Sequence, residues 1–299
     1  MSNIPGTHRR RFTLLDAVLL GAIAIAVALL IRRVRTTLVY EWEWSVIPQY
    51  LVRRDGATGR IVPGVLLLGV FTTIRLAVWS AIGALIIGVT VGLFRIAKST
   101  SARTIGRIYV ELVRNTPPLV LVFIFFYFVG SQVTVALGID SWARNAGPGT
   151  RATIELLFSP AARFSEFLSA VMTLAVYEGA YMAEIIRAGV QSVEKGQLEA
   201  ASALGLSRAD QYRFVILPQA LRTISPALAG QFISTIKDSA IVAVISVQEL
   251  TFRGLELMSA TFRTFEIWIT ITALYFVLTG GLSLASRVLE RRLAARHSR

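Results

Sequence analysis

Several stretches of this 299-residue chain run for about 18 residues or more with few or no charged side chains, and a run of that length has one stable use. At about 1.5 Å rise per residue it crosses a hydrocarbon core of roughly 30 Å as a helix, with its backbone N–H and C=O groups paired internally. With 54% of its residues hydrophobic, the chain is expected to be all-α, a polytopic helical membrane protein of about six transmembrane helices.

Taken in order, Arg9-Arg10-Arg11 before Leu14 to Ile31 reads as a cleaved signal peptide or a first anchor helix. The length of the apolar core, and Arg32-Arg33 where a cleavage site would stand, favour the anchor. Residues 32–63 form a polar connection whose Tyr40, Trp42, Trp44 and Tyr50 suit a membrane–water boundary on the outer side. Gly64 to Phe94 would reach about 46 Å as one helix, so the second span is expected to begin near Thr72 or Ile74. Arg95, Lys98, Arg103, Arg107 and Arg114 mark an inner loop, after which Thr116-Pro117 reads as N-cap and first residue of a third span from Pro118 to about Val135. Gly138 to Ser165 reads as an outer loop, followed by a fourth span from about Glu166 to Ile186. A fifth span from about Thr223 to Val247, an outer connection Glu249 to Arg263 and a sixth span Glu266 to Val288 complete the membrane part. Lys and Arg are more numerous on the proposed inner segments than on the outer ones, which places both termini in the cytoplasm. The expected divisions are 1–63 (tail, anchor and interfacial segment), 64–290 (membrane domain) and 291–299 (basic cytoplasmic tail).

The composition also excludes several functions. There is no cysteine, and the two histidines, His8 and His297, lie in the tails, so thiolate chemistry and histidine-ligated metal within the spans are ruled out. The formal charge of +13 sits in short clusters beside apolar runs, as suits anionic lipid headgroups and not nucleic acid. No Gly-x-x-x-x-Gly-Lys-Ser/Thr phosphate loop occurs, so any ATP must be hydrolysed by a partner.

One polar stretch, Gln197 to Arg222, interrupts the apolar pattern. Leu198 to Leu204 consists of good helix formers and meets Gly205, suited to the left-handed conformation that closes a helix. Ser207 and Asp210 have the form of a capping box, predicting a second helix from Arg208 to Ile216 that Leu217-Pro218 stops. Ala200, Ala201, Ala203 and Gly205 form a small face open to close approach, the shape of a docking knob. An ordinary surface hairpin explains this punctuation, but it does not explain the spacing that follows.

Glu199-Ala200-Ala201, three residues, Gly205, nine residues, Val215, one residue, then Leu217-Pro218 resembles the cytoplasmic signature loop of ABC-importer permeases, with Val215 where isoleucine is usual. Gly179 to Arg187, Gly189 and Gly196-Gln197 resemble the polar amino-acid uptake branch. So do Arg114-Asn115-Thr116-Pro117 and Ile236 to Ala240 through Glu249-Leu250, although a threonine–serine pair more often stands at Ser239-Ala240. The similarity covers roughly residues 64–290. It implies a type I importer-like fold with a coupling loop at 189–222, and ATPase coupling through Glu199, Ala200, Ala201, Gly205, Val215, Leu217 and Pro218. It further implies a second permease subunit, same or different, an ABC ATPase dimer that holds the ATP and Mg, and an extracytoplasmic solute-binding protein. No cofactor and no catalytic residue fall to this chain.

Depth singles out a few ionisable groups. Glu178 lies about 18 Å into the fourth span and Lys237 about 21 Å into the fifth, near the midplane, where a charge must be paired or face water. A translocation cavity and an internal Glu178–Lys237 ion pair both satisfy that rule, and they can coexist. Tyr177, Tyr181 and Glu184 share one helix face, either for packing with a Glu184–Arg187 pair or to line the path. Lys237-Asp238-Ser239 is a place for the fifth span to break, exposing backbone polar groups to a cavity, and Arg75 is expected to snorkel at the outer lip. The candidate path residues are thus Glu178, Tyr181, Glu184, Lys237, Asp238 and Ser239. The alternatives are an importer for another small solute and, from a different class, an ion-coupled carrier working alone. The lack of an internal repeat disfavours the carrier, and uptake that survives loss of ATP would favour it.

Overall fold

The computed structural model describes residues 13–37 and 40–295; His8, Arg9 to Arg11 and the tail from 296, with His297, lie outside them. The chain divides into two units at Trp44. The first holds α1 (Leu14–Thr37), whose N-terminus Thr13 and Asp16 close as a reciprocal capping box: the Thr13 N–H donates to the Asp16 carboxylate at 2.8 Å and the Asp16 N–H to the Thr13 hydroxyl at 3.3 Å. The helix continues past Ile31 through the arginines at 32, 33 and 35. Tyr40, Trp42 and Trp44 form an aromatic cluster, with the Trp42 and Trp44 rings stacked at 5.8 Å.

The second unit begins with α2 (Ile47–Leu51) and a short antiparallel hairpin, β1 (Val52–Arg54) and β2 (Ile61–Pro63), within what the sequence presents as a plain connection. Next come α3 (Val65–Ile96), α4 (Thr100–Asn115), α5 (Pro118–Ile124), a π-helical turn Phe125–Gly130, α6 (Ser131–Ala136), α7 (Ile139–Arg144), α8 (Pro148–Leu157) and α9 (Phe164–Gln191). The remaining elements are α10 (Lys195–Ala203), α11 (Arg208–Asp210), a second π-helical turn Gln211–Ile216, α12 (Leu217–Asp238) running into a 3-10 helix Ser239–Ile245, α13 (Leu250–Thr261) and α14 (Thr264–Ala295). Among the described residues, Val65–Ile96, Pro118–Ala136, Arg208–Ile245 and Thr264–Val288 are long and apolar enough to cross a membrane; the apolar part of α1, Leu14–Leu29, is shorter. α9 carries Glu166, Glu178, Glu184 and Arg187, yet α3, α4, α5, α6 and α12 all pack on it.

Small residues make this central packing possible. Gly88 and Gly92 stand four apart on α3, and a Cβ at Gly88 would lie 2.6 Å from the Cβ of Met182 on α9. Backbones that close gain dispersion contacts, the main attraction left between helices once both are in lipid. Large side chains on the outer faces, such as Ile86 and Val89 on α3, remain exposed, as lipid contact requires.

Several local expectations are corrected by distant contacts. The helix that carries the second span starts at Val65, ahead of Thr72, and Leu66 and Val70 in its first turns are buried with Ile47, Leu250, Ile267 and Ile271. Thr116 does not cap the third span; its hydroxyl donates to the Leu112 carbonyl at 2.7 Å at the end of α4, and Pro117 occupies the N-cap position of α5. The inner loop is largely the amphipathic helix α4, the supposed loop 138–165 holds α7 and α8, and 250–261 is helical as α13. Leu217-Pro218 does not stop the helix either. The wide turn at Gln211–Ile216 precedes Pro218 in the first turn of α12, where a missing N–H removes little.

Candidate functional site

Two places carry the sequence-predicted residues: the connector between α9 and α12, and the polar middle of those two helices. In the connector Gly205 has φ +73°, and the chain closes α10 with paired bonds, the Gly205 N–H donating to Ser202 O at 3.0 Å and the Leu206 N–H to Ala201 O at 3.1 Å. Ser207 then accepts from the Asp210 N–H at 3.2 Å, the N-cap half of the box read from the sequence, while the Asp210 carboxylate accepts from the Ser207 hydroxyl at 2.6 Å in place of its backbone N–H. Gln211, which the sequence does not mark, ties the two halves: its Nε2 donates to the Ser202 hydroxyl at 3.1 Å and the Leu206 carbonyl at 2.9 Å.

The outward face differs from the one expected. Ala201 is 3% exposed and faces the protein, so it does not belong to the outer small face. Glu199, Ala200, Ala203 and Gly205 stand outside, Val215 is half-buried, and Leu217 and Pro218 are exposed at the start of α12. Leu204 at 81% and Phe214 at 62% exposure add an apolar surface that resembles neither a lipid-facing span nor a solvated loop. No spacing rule marks those two residues.

Midway along α9, Glu178 is fully buried and its Oε2 accepts a 2.5 Å hydrogen bond from Gln231 Nε2 on α12. Its Oε1 is buried without a hydrogen-bond partner among the described residues. Gln231, Thr235 and Asp238 follow at i, i+4 and i+7, so α12 turns one polar face to Glu178, with Asp238 beside it. Lys237 is exposed and makes no ion pair with Glu178; at about 100° per residue it points about 120° away from Gln231. The helix phase, rather than charge attraction, decides the pairing. Ser239 is buried and donates to Ile236 O at 2.8 Å at the change from α to 3-10 geometry, and Ser246 with φ 64° ends that stretch.

Toward the connector, Glu184 is bound by both Arg95 of α3 and Arg187 of its own helix, and Arg187 also donates to Gln191. Arg95 is the partner the sequence did not indicate, since it comes from a distant helix. Tyr181 stacks edge-on with Tyr177 at 5.3 Å and lies under the Arg114 guanidinium at 5.3 Å. Tyr109 donates to the Val176 carbonyl at 2.6 Å, fastening α4 to α9. These groups knit α3, α4 and α9 at one end.

A further buried carboxylate was legible only as part of a resemblance. Glu249 is fully buried and caps α13, accepting from the Thr251 N–H at 2.9 Å, the Phe252 N–H at 2.8 Å and the Tyr275 hydroxyl at 2.8 Å. The Leu250 N–H donates to the Thr73 hydroxyl at 3.1 Å, so α3, α13 and α14 meet at one polar knot.

The polar groups of the site sit as a column along α9 and α12, joined to an exposed connector. A family model described as "binding-protein-dependent transport system inner membrane component" matches residues 84–295. The glutamine transport system permease protein GlnP of Escherichia coli (strain K12) is 36% identical over 228 residues, covering 76% of this chain and 92% of that protein. The arginine transport system permease protein ArtQ of Bacillus subtilis (strain 168) is 32% identical over 228 residues, with the same coverage of 76% and 92%. Among solved structures, one described as the crystal structure of an amino acid ABC transporter with histidines superposes with a TM-score of 0.61 at 32% identity, over 76% of this chain and 94% of that one. The chain therefore belongs to the binding-protein-dependent transport system inner membrane components, and is a non-catalytic, multi-span permease subunit of an ABC importer.

Proposed function

We propose that this permease conducts a polar or charged amino acid through the polar column of α9 and α12. In this reading Lys237 and Asp238 line the path, with Glu178, Tyr181, Glu184 and Ser239 holding its wall. The carrying observation is the exposed Lys237 near the end of α12, within the apolar stretch Arg208–Ile245 and on the helix whose Gln231 holds the buried Glu178 of α9. A lysine at that depth requires water or an anionic partner. A zwitterion meets both demands, its carboxylate facing Lys237 and its ammonium facing Asp238. Relatives named for glutamine and arginine transport support this cargo class.

The assembly we propose has two permeases, identical or homologous, around one path. An ATPase dimer, which holds ATP and Mg, docks on the connector through Glu199, Ala200, Gly205, Val215, Leu217 and Pro218, with Ala201 supporting that surface from behind. A solute-binding protein delivers cargo at the opposite side. Residues 64–290 form the permease domain, 189–222 its cytoplasmic coupling loop, and both termini are cytoplasmic. The test is Lys237→Ala in proteoliposomes holding the cognate ATPase and the loaded binding protein. Transport should fall at least tenfold while assembly and melting temperature stay unchanged, since Lys237 makes no ion pair among the described residues. Unchanged transport kinetics would remove Lys237 from the path.

A further inference from the structure

At the end of α9 remote from the connector, a cavity of about 340 Å³ opens between α3, α8, the start of α9 and the chain leading into α13. Its volume lies in the range of small-molecule pockets. Five charged side chains line it: Arg75, Arg163 and Arg253, with Glu155 and Glu166. Opposite charges gathered on one surface normally pair with one another. Here, among the described residues, only Arg253 is paired, with Glu256 and Gln248. Arg75 reaches only the Phe158 carbonyl at 3.5 Å, a long contact, although it is half-buried about 15 Å along α3. The snorkelling expected for Arg75 leads into this cavity. Glu166, in the first turn of α9, stands about 18 Å along the helix from Glu178, so the cavity is separate from the mid-span column.

We infer that this cavity is a second cargo site, a rim subsite for a zwitterionic α-amino acid, with Arg75 and Arg163 receiving the carboxylate and Glu155 and Glu166 the ammonium. It rests on the amino-acid reading of the mid-span column and extends it to a two-station path. Unpaired cations and anions around one small volume complement a ligand that carries both charges, whereas a purely anionic ligand would leave both glutamates opposed. Its walls also contain Leu68, Phe71 and Phe167, which suit an aliphatic side chain.

The experiment uses the permease–ATPase complex in liposomes together with its solute-binding protein, with L-glutamine as probe and two analogues, one lacking the α-carboxyl and one lacking the α-amino group. Arg75→Gln with Arg163→Gln, and separately Glu155→Gln with Glu166→Gln, should each raise the KM for uptake about tenfold, the worth of one charge-assisted contact. An independent reading uses the absence of native cysteine. Thr72→Cys places a single thiol on the cavity wall, and L-glutamine should slow its modification by a maleimide while neither analogue does. Wild-type uptake with unchanged KM in both double variants, or no protection of the thiol, overturns the subsite alone. Failure of the wild-type complex to take up any amino acid overturns the transport reading and the subsite with it. A defect confined to the arginine variants, reproduced by removing anionic lipid, overturns the zwitterion and assigns the cavity to a lipid phosphate.

Discussion

Gly205→Arg separates the connector's shape from the rest of the molecule. Gly205 holds φ +73°, where an L-residue with a side chain costs about 1–2 kcal/mol. A Cβ there would meet nothing within 4 Å, so the substitution makes no clash inside the chain. The strain falls on the two bonds that close α10, and it shifts the local closed-to-frayed ratio by roughly 5–30-fold. The longer-range effect is the arginine itself, projecting from the exposed side of the turn beside Ala200 and Ala203. Gly205→Asn is the control, because asparagine accepts positive φ and stays short. Glu199→Ala should be milder than Gly205→Arg, since it leaves the helix intact. The assay is co-purification of the ATPase, with ATP hydrolysis stimulated by loaded binding protein in liposomes. Gly205→Arg should insert normally and lose most stimulation, while Gly205→Asn stays near wild type. Full stimulation in Gly205→Arg would refute the docking role of this turn.

Three further outcomes are expected. A reporter fused at Gly196 should be cytoplasmic and one at Gly149 outside, and the reverse pair would overturn the orientation. Glu249→Ala strands two backbone N–H groups and leaves the Tyr275 hydroxyl only its Thr251 contact, so it should lower stability by about 3 kcal/mol, seen as a fall in melting temperature in detergent larger than that of Glu249→Gln; a wild-type melting curve would dismiss the knot. Gly88→Leu forces side-chain atoms against Met182, costing about 1–3 kcal/mol, whereas Gly230→Ala, with open space at its Cβ, should be tolerated; equal melting of the two would refute the close α3–α9 contact.

What could be read from the sequence follows the range of the interaction. The connector was legible because its determinants are local: a glycine at positive φ and a serine with an aspartate three residues on each act within one turn. The length of α3 was not, because Val65 to Phe71 has the same composition whether lipid or protein covers it. The choice is made by Ile47, Leu250 and Ile267, all far away in sequence. Pro218 misled for a similar reason. Proline's effect depends on its position within the helix, and the π-turn before it moves it from a stop to a start.

The polar column shows the same division and bears on how the protein works. Sequence depth singles out Glu178 and Lys237, but depth fixes only height along a helix and says nothing of direction around it. Once Gln231, Thr235 and Asp238 turn toward α9, Lys237 must point elsewhere, because side chains on one helix keep fixed angles. Glu178 is then held by a neutral amide, and the lysine has no ion pair among the described residues. A charge so placed gains most from an anion that arrives from outside the chain, supplied by cargo or by a second permease. On the path proposed above, Lys237 is the group that responds to occupancy, while the Glu178–Gln231 hydrogen bond joins α9 to α12.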